Sequence, residues 1–149
     1  MNSMPHTVTH ILLATFSLGN KLFAVDIMRI REILVPQNLS PLPCASDILD
    51  GVITLRGTVI PVMNMRKRLG MADEIPAHQG KLLIVVLTGQ LIALQVDDVT
   101  EVITVPVSDI LPPLQTITGV GMEYVLGVCL SAENVFMILD IDSLFSSRV

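Results

Sequence analysis

Aromatic side chains are scarce in this sequence: tryptophan is absent, tyrosine occurs once and phenylalanine four times. Single-stranded nucleic acids are held by bases stacking on aromatic rings, so that kind of platform is poorly supplied. Positive charge is scarce as well. Nine Lys and Arg face fourteen Asp and Glu, for a net charge of −5, and no basic stripe suited to a phosphate backbone is present. The imbalance is uneven: residues 1–75 hold seven basic and six acidic side chains (+1), whereas residues 76–149 hold two and eight (−6). No nucleic-acid partner is therefore expected. Cysteine occurs twice, at Cys44 and Cys129. With no CxxC, CxxxH or HExxH spacing, the two thiols read as buried or incidental residues of a reducing compartment. The histidines His6 and His10 fall in an N-terminal tail and His78 in a polar segment. Although 51% of the residues are hydrophobic, no apolar run approaches the ~18 residues of a membrane span. Residues 1–10 lack the basic and apolar regions of a signal peptide. A cytoplasmic chain without a transmembrane segment is the expectation.

Enzymatic motifs are missing too. There is no GxSxG, P-loop or GxGxxG. Leu49-Asp50-Gly51 lacks the hydroxyl residue of an aspartic-protease motif, and Gly119-Val120-Gly121 is only a loop fragment. Asp97-Asp98 and Asp140-x-Asp142 suggest acid or metal pairs, but strand alternation points neighbouring carboxylates to opposite faces. Hairpin ends and helix caps account for them. No cofactor, no metal and no catalysis are expected.

What is abundant is short runs of Val, Ile, Leu and Phe separated by turn residues. A chain of 149 residues buries about 68–70% of its unfolded surface and needs no disulfide or metal to fold. Strands are expected at Ile11–Leu18, Lys21–Asp26, Arg31–Val35, Val52–Leu55 and Val59–Met63. A second set is expected at Leu82–Thr88, Leu91–Val96, Glu101–Val105, Val125–Leu130 and Val135–Leu139. Gly19-Asn20 and Gly89-Gln90 read as tight hairpin loops. Many short strands closely spaced indicate a barrel or sandwich.

The two sets repeat weakly. Leu18-Gly19-Asn20-Lys21-Leu22 matches Leu87-Thr88-Gly89-Gln90-Leu91, and Val25-Asp26, Glu32 and Pro36 echo Val96-Asp97, Glu101 and Pro106. Gly51 and Gly127, like Asn64 and Asp140, stand 76 residues apart (51 to 127, 64 to 140). The expectation is an all-β chain of two five-stranded SH3-like barrels related by a pseudo-repeat. They form one domain, 1–149, with a tail at 1–10, barrel one at about 11–75 and barrel two at about 79–149. Residues 71–80 would link them, and the Pro-rich segments Pro36–Pro43 and Pro106–Pro113 would be connecting loops. Asn64 and Asp140 are suited to cap helix N-termini, with short helices at Met65–Leu69 and Ile141–Phe145 plugging the barrel ends through Leu69 and Phe145. Gly70 stands where the first helix should stop.

The stretch from Gly51 to Arg66, Gly-Val-Ile-Thr-Leu-Arg-Gly-Thr-Val-Ile-Pro-Val-Met-Asn-Met-Arg, resembles the signature of the CheW family. There, a GV-x-N-LRG turn leads into an IPV-x-(D/N)-L strand and helix. Phe16–Leu34, Val96-Asp97-Asp98-Val99 and Ile138-Leu139-Asp140-Ile141 follow in the family's order. The resemblance covers about residues 11–146. Thr54 replaces the usual Asn and Met65 the usual Leu, changes that would suit a specialised member. The resemblance implies an SH3-like two-barrel adaptor that links chemoreceptor signalling tips to a histidine autokinase. The kinase's regulatory domain has the same fold, so the two can alternate in rings. An adaptor of a non-flagellar pathway, such as pilus motility or biofilm signalling, is the alternative within the class. A small β-barrel enzyme or nucleic-acid binder is the alternative outside it.

In Asp26-Ile27-Met28-Arg29-Ile30-Arg31-Glu32-Ile33-Leu34 the isoleucines recur every third residue, a spacing that demands a turn or kink. Ile27, Ile30 and Ile33 either all point inward or partly line an apolar groove of the kind that takes a partner helix. The resemblance places the receptor-binding groove here, with Val99 facing it. Arg56, between Leu55 and Gly57, wants a partner for its charge. The resemblance suggests Glu32, so that the pair orients the loop; the other reading is a plain surface arginine at a hairpin tip.

Overall fold

The computed structural model of the protein describes residues 9–42, 47–71, 80–113 and 122–145. Within them lie ten strands: β1 (His10–Leu18), β2 (Lys21–Asp26), β3 (Ile30–Leu34), β4 (Leu49–Leu55), β5 (Thr58–Asn64), β6 (Lys81–Leu87), β7 (Gln90–Val96), β8 (Asp98–Pro106), β9 (Val125–Ser131) and β10 (Asn134–Leu139). Two one-turn helices, α1 (Met65–Arg68) and α2 (Ile141–Leu144), follow β5 and β10. Every expected strand is present. The β6–β7 turn is Thr88-Gly89, with Gln90 already paired to Leu87. It is therefore one residue earlier than the expected Gly89-Gln90. Three of the two-residue hairpin loops, Arg56-Gly57, Thr88-Gly89 and Ala132-Glu133, hold both residues at positive φ. That is the twist that lets a tight turn follow the strands.

The strands form two five-stranded sheets, β8-β1-β2-β10-β9 and β3-β6-β7-β5-β4. Pairing is antiparallel except for β2 with β10 and β5 with β7. Each sheet mixes strands of both sequence halves, which corrects the expected boundaries. The first barrel combines residues 10–26 with 98–139, and the second is the continuous stretch 30–96. The physical reason lies after β2. Asp26 accepts from Met28 N–H at 2.9 Å and caps a 3₁₀ turn, Ile27–Arg29. That turn redirects the chain away from its own sheet, where a hairpin would have returned it. Residues 71–80, expected to link the barrels, join α1 to β6 within the second barrel; positions 72–79 lie outside the described residues. The pseudo-repeat itself holds. Each barrel takes the opening hairpin of one half and the last three strands of the other. Pairing also shows that Asp26 matches Gln95, not Asp97, because Leu13 pairs Asp26 as Leu82 pairs Gln95.

A strand points successive side chains to opposite faces, and the central strands here are apolar on both. In β1, Ile11 and Leu13 face the interior of the first barrel with Ala24, Phe136 and Ile138. Ala14, Phe16 and Leu18 face outward. In β7, Ala93 faces the second interior, whereas Ile92, Leu94 and Val96 face outward. The outward sets meet in one cluster larger than either interior. Phe16 stacks on its cross-strand partner Phe23 there, with centroids 5.7 Å apart. Such a pair adds about 0.5–1.5 kcal/mol beyond its burial. The barrels thus share a core and form one unit.

The caps fall where the sequence places them. Asn64 accepts from Lys67 N–H at 3.2 Å and Asp140 from Asp142 N–H at 3.2 Å. Gly70, at φ +77°, ends α1, with Gly70 N–H donating to Lys67 O and Met71 N–H to Arg66 O. This is the paired closure that a left-handed residue permits. Leu69 is buried and Phe145 packs half-buried on the shared cluster.

The Pro-rich segments do more than connect. Ser40 pairs with Val52 and Leu111 with Val128, each through two 2.8 Å backbone bonds. They cover β4 and β9, one edge strand of each sheet, and leave fewer open groups there for stray pairing. Pro43 lies outside the described residues.

Candidate partner-binding surface

The period-three isoleucines have a structural cause. Ile27 opens the 3₁₀ turn and Ile30 follows it, a spacing of three that matches one such turn. From Ile30 the chain is strand, with a bulge against β6 between Ile30 and Glu32. Arg31, Ile33 and Val35 then alternate outward, with Ile33 at 47% exposure and Val35 at 63%. Ile27 and Ile30 are half-buried. Ile30 packs on the shared cluster and so does Val99, whereas Ile33 lies outside that cluster. The structure therefore sets Ile30 and Val99 against the same cluster, one from each barrel, and leaves Ile33 as the exposed member of the trio. Met28, at the crest of the turn between the barrels, is 83% exposed, an apolar side chain the sequence pattern gave no reason to single out.

Arg56 does find a carboxylate: its Nη2 donates to Glu32 Oε1. Arg56 lies in the β4–β5 turn and Glu32 on β3, which stand at opposite ends of the sheet order. The bond therefore reaches across the gap where the second barrel closes on itself. Arg56 holds φ +49° and its side chain is 70% exposed, while Glu32's is 27% exposed. Thr54, in place of the usual Asn, points to solvent on β4, and Met65, in place of Leu, is fully buried.

Among the described residues four further ion pairs escaped the sequence reading, two of them formed by arginines. Arg66 of α1 binds Asp97, between β7 and β8, in a fork. Burial pushes the Asp97 carboxyl up, but Arg66 and the Gly19 N–H outweigh it and hold the group below the usual carboxylate range. Arg29 donates to Asp142 of α2 at 2.7 Å. That bond raises Arg29 and lowers Asp142 from their ordinary values. The available signal was positional: Arg66 and Asp142 each sit two residues after a helix cap.

Among the described residues no group of three or more His, Cys, Asp or Glu is placed to hold a metal. Cys129 is buried in the first barrel, and burial raises its pKa, which leaves it a poor nucleophile. The depression beside α1, lined by Asp47, Ile48, Lys67, Gly70 and Met71, contains one cation, Lys67, bonded to Asp50 at 3.0 Å. No helix among the described residues is long and apolar enough to cross a membrane.

Paired barrels around a shared core, with apolar side chains left exposed at the passage between them, are the architecture of a two-barrel scaffold. The chain belongs to the CheW-like domain family, whose model matches residues 13–149. It is 34% identical over 140 residues to the chemotaxis protein CheW of Treponema pallidum (strain Nichols), covering 91% of this chain and 82% of that one. It is 30% identical over 136 residues to the chemotaxis protein CheW of Rhizobium meliloti (strain 1021), covering 91% and 88%. Its fold is similar to the crystal structure of the scaffolding protein TtCheW from Thermoanaerobacter tengcongensis. That match has a TM-score of 0.85 and 28% identity, and covers 93% of this chain and 94% of that one.

Proposed function

We propose that this chain is a cytoplasmic, non-catalytic adaptor that couples the signalling tips of chemoreceptors to the regulatory domain of a histidine autokinase. The observation that carries the reading is the family match across residues 13–149. The exposed Ile33 and Met28 beside half-buried Ile27 and Ile30 support it. With Val99, half-buried on β8 of the other barrel, they offer a receptor helix an apolar surface rather than a pocket for a small substrate. In this role Ile27, Ile30, Ile33 and Val99 contact the receptor, and the Glu32–Arg56 pair orients the β4–β5 turn during coupling. Burying two or three such side chains at about 1.5–3 kcal/mol gross each supports a weak, reversible complex after association costs are met.

The test is capture of a receptor signalling-tip fragment and of the kinase's C-terminal regulatory domain by the purified chain. Each is assayed separately and then together with kinase output as the readout. Binding to both, with receptor-dependent kinase activity, supports the role. Binding to neither removes it.

A further inference from the structure

Among the described residues the chain passes between the barrels twice, at 26–30 from β2 to β3 and at 96–98 from β7 to β8. Each passage carries a charged side chain bonded to both barrels. At the second, Arg66 Nε donates to Asp97 Oδ1 at 2.9 Å and Arg66 Nη2 to Oδ2, while Gly19 N–H donates to Oδ2 at 2.7 Å. Asp97 thereby ties α1, at the end of the second barrel, to the β1–β2 turn of the first. At the first passage, Arg29 Nη2 donates to Asp142 Oδ1 at 2.7 Å, and its Nε and Nη2 donate to Val86 O at 3.1 and 2.9 Å. Arg29 thereby ties α2, at the end of the first barrel, to β6 of the second.

The two arrangements have the same plan with opposite polarity. Arg66 and Asp142 stand 76 residues apart (66 to 142), the offset of the caps Asn64 and Asp140. In one case the helix supplies the cation and the passage the anion; in the other the roles are exchanged. The hairpin partner changes to match. A backbone N–H serves the anion and a backbone carbonyl serves the cation. Lys81 of the second barrel also reaches Asp98 of the first, at 3.6 Å on the surface.

We infer that these two ion pairs set the angle between the barrels, and with it the separation of Ile30 and Val99. The apolar cluster between the barrels holds them together, but hydrophobic attraction is non-directional and tolerates rotation of one face on another. Charge-assisted hydrogen bonds have narrow preferred geometries. One such tie leaves a pivot, and two at separate passages remove it. Ile30 directly follows Arg29, and Val99 lies two residues beyond Asp97. The ties therefore act at the walls on which the proposed receptor contact depends. The consequence for receptor binding rests on the proposed adaptor role; the restraint itself does not.

The experiment uses the full chain with Cys44→Ser and Cys129→Ala, spin-labelled at Thr58→Cys, the first residue of β5 in the second barrel, and Glu133→Cys, in the β9–β10 turn of the first, both exposed positions. Double electron–electron resonance then reads the inter-barrel distance without any receptor present. Asp97→Asn with Asp142→Asn is expected to broaden the distance distribution at least twofold with the far-ultraviolet circular dichroism unchanged, and each single variant is expected to fall between. A folded double variant with a distribution as narrow as the parent overturns the inference. If the double variant unfolds, Asp142→Asn decides alone, because its pair is surface-accessible, at 30% for Arg29 and 60% for Asp142. Broadening then supports the inference and an unchanged width overturns it.

Discussion

Ile30 and Val99 occupy the same place in the two barrels. They are 69 residues apart (30 to 99), as are their strand partners Phe16 and Val85 (16 to 85). Each lies within the first two residues of the strand that follows a passage between barrels, and each packs on the shared cluster. Ile33, three residues further on, is nearly half exposed. The two isoleucines should therefore respond oppositely to a charge. Ile30→Asp places a carboxylate against the cluster and is expected to cost about 3 kcal/mol or more, lowering the melting midpoint by roughly 6–12 °C. Ile33→Asp should leave the midpoint within about 2 °C, because exposed substitutions stay near ±0.5 kcal/mol. It should weaken receptor-tip binding by about 10–100-fold, the equivalent of losing one buried isoleucine. Calorimetric melting and titration of the tip fragment on both variants check this.

Arg56→Ala removes the bond to Glu32 across the barrel gap. An exposed pair of this kind is worth about 0–1 kcal/mol, so chemical denaturation should detect little change. Receptor-controlled kinase activity should fall by more than that stability change accounts for. A loss of coupling matched by an equal loss of folded protein would remove the proposed role of the pair.

Asp97 makes stability depend on acid. Its folded pKa is depressed, so its contribution is complete above the unfolded value of about 3.9 and disappears as pH falls through the folded value. Asp97→Asn should cost about 1–3 kcal/mol at pH 7. That difference from the parent should shrink steadily as urea unfolding is repeated from about pH 5 down to about pH 3. A difference that stays constant with pH would mean that the carboxylate's charge is not what the fold uses.

The glycines predict a contrast. A Cβ at Gly51 would stand 2.5 Å from Ser40 O, and one at Gly127 would stand 2.8 Å from Leu111 O, both backbone atoms of the edge-covering segments. Gly57, at φ +84°, has nothing within 4 Å. Gly57→Ala should cost about 1–2 kcal/mol for its left-handed backbone alone. Gly51→Ala and Gly127→Ala should each cost more, about 3 kcal/mol, since a bridge must break or shift. Unfolding free energies of the three variants rank the effect.

The elements themselves were readable because their signals are local. Turn residues punctuate the strands, Asn64 and Asp140 cap within three residues, and Gly70 stops the turn it adjoins. The repeat was readable for the same reason, since Gly51 and Gly127 answer equivalent backbone approaches. The partition into barrels was not, because it depends on where β2 leads. A residue such as Asp26 serves a hairpin end as well as a 3₁₀ cap. Within the candidate site, the Glu32–Arg56 pair came with the family resemblance. Arg66 with Asp97 and Arg29 with Asp142 join residues 31 and 113 positions apart, and no local pattern announces contacts of that separation.

The exchange of strands between the halves also orders events during synthesis. β1 and β2 leave the ribosome before the other described strands, yet their sheet neighbours β8 and β10 are made only after β3 to β7. At about 5–20 residues per second, the opening hairpin waits several seconds with both apolar faces uncovered. The stretch 30–96 holds all five strands of the second barrel and can close meanwhile, offering Phe16, Phe23 and Val25 a surface to rest on before their own barrel exists. The shared cluster can thus serve as a template as well as a core: the barrel built from one continuous stretch offers shelter to the half-built edge of the one whose strands are separated in sequence.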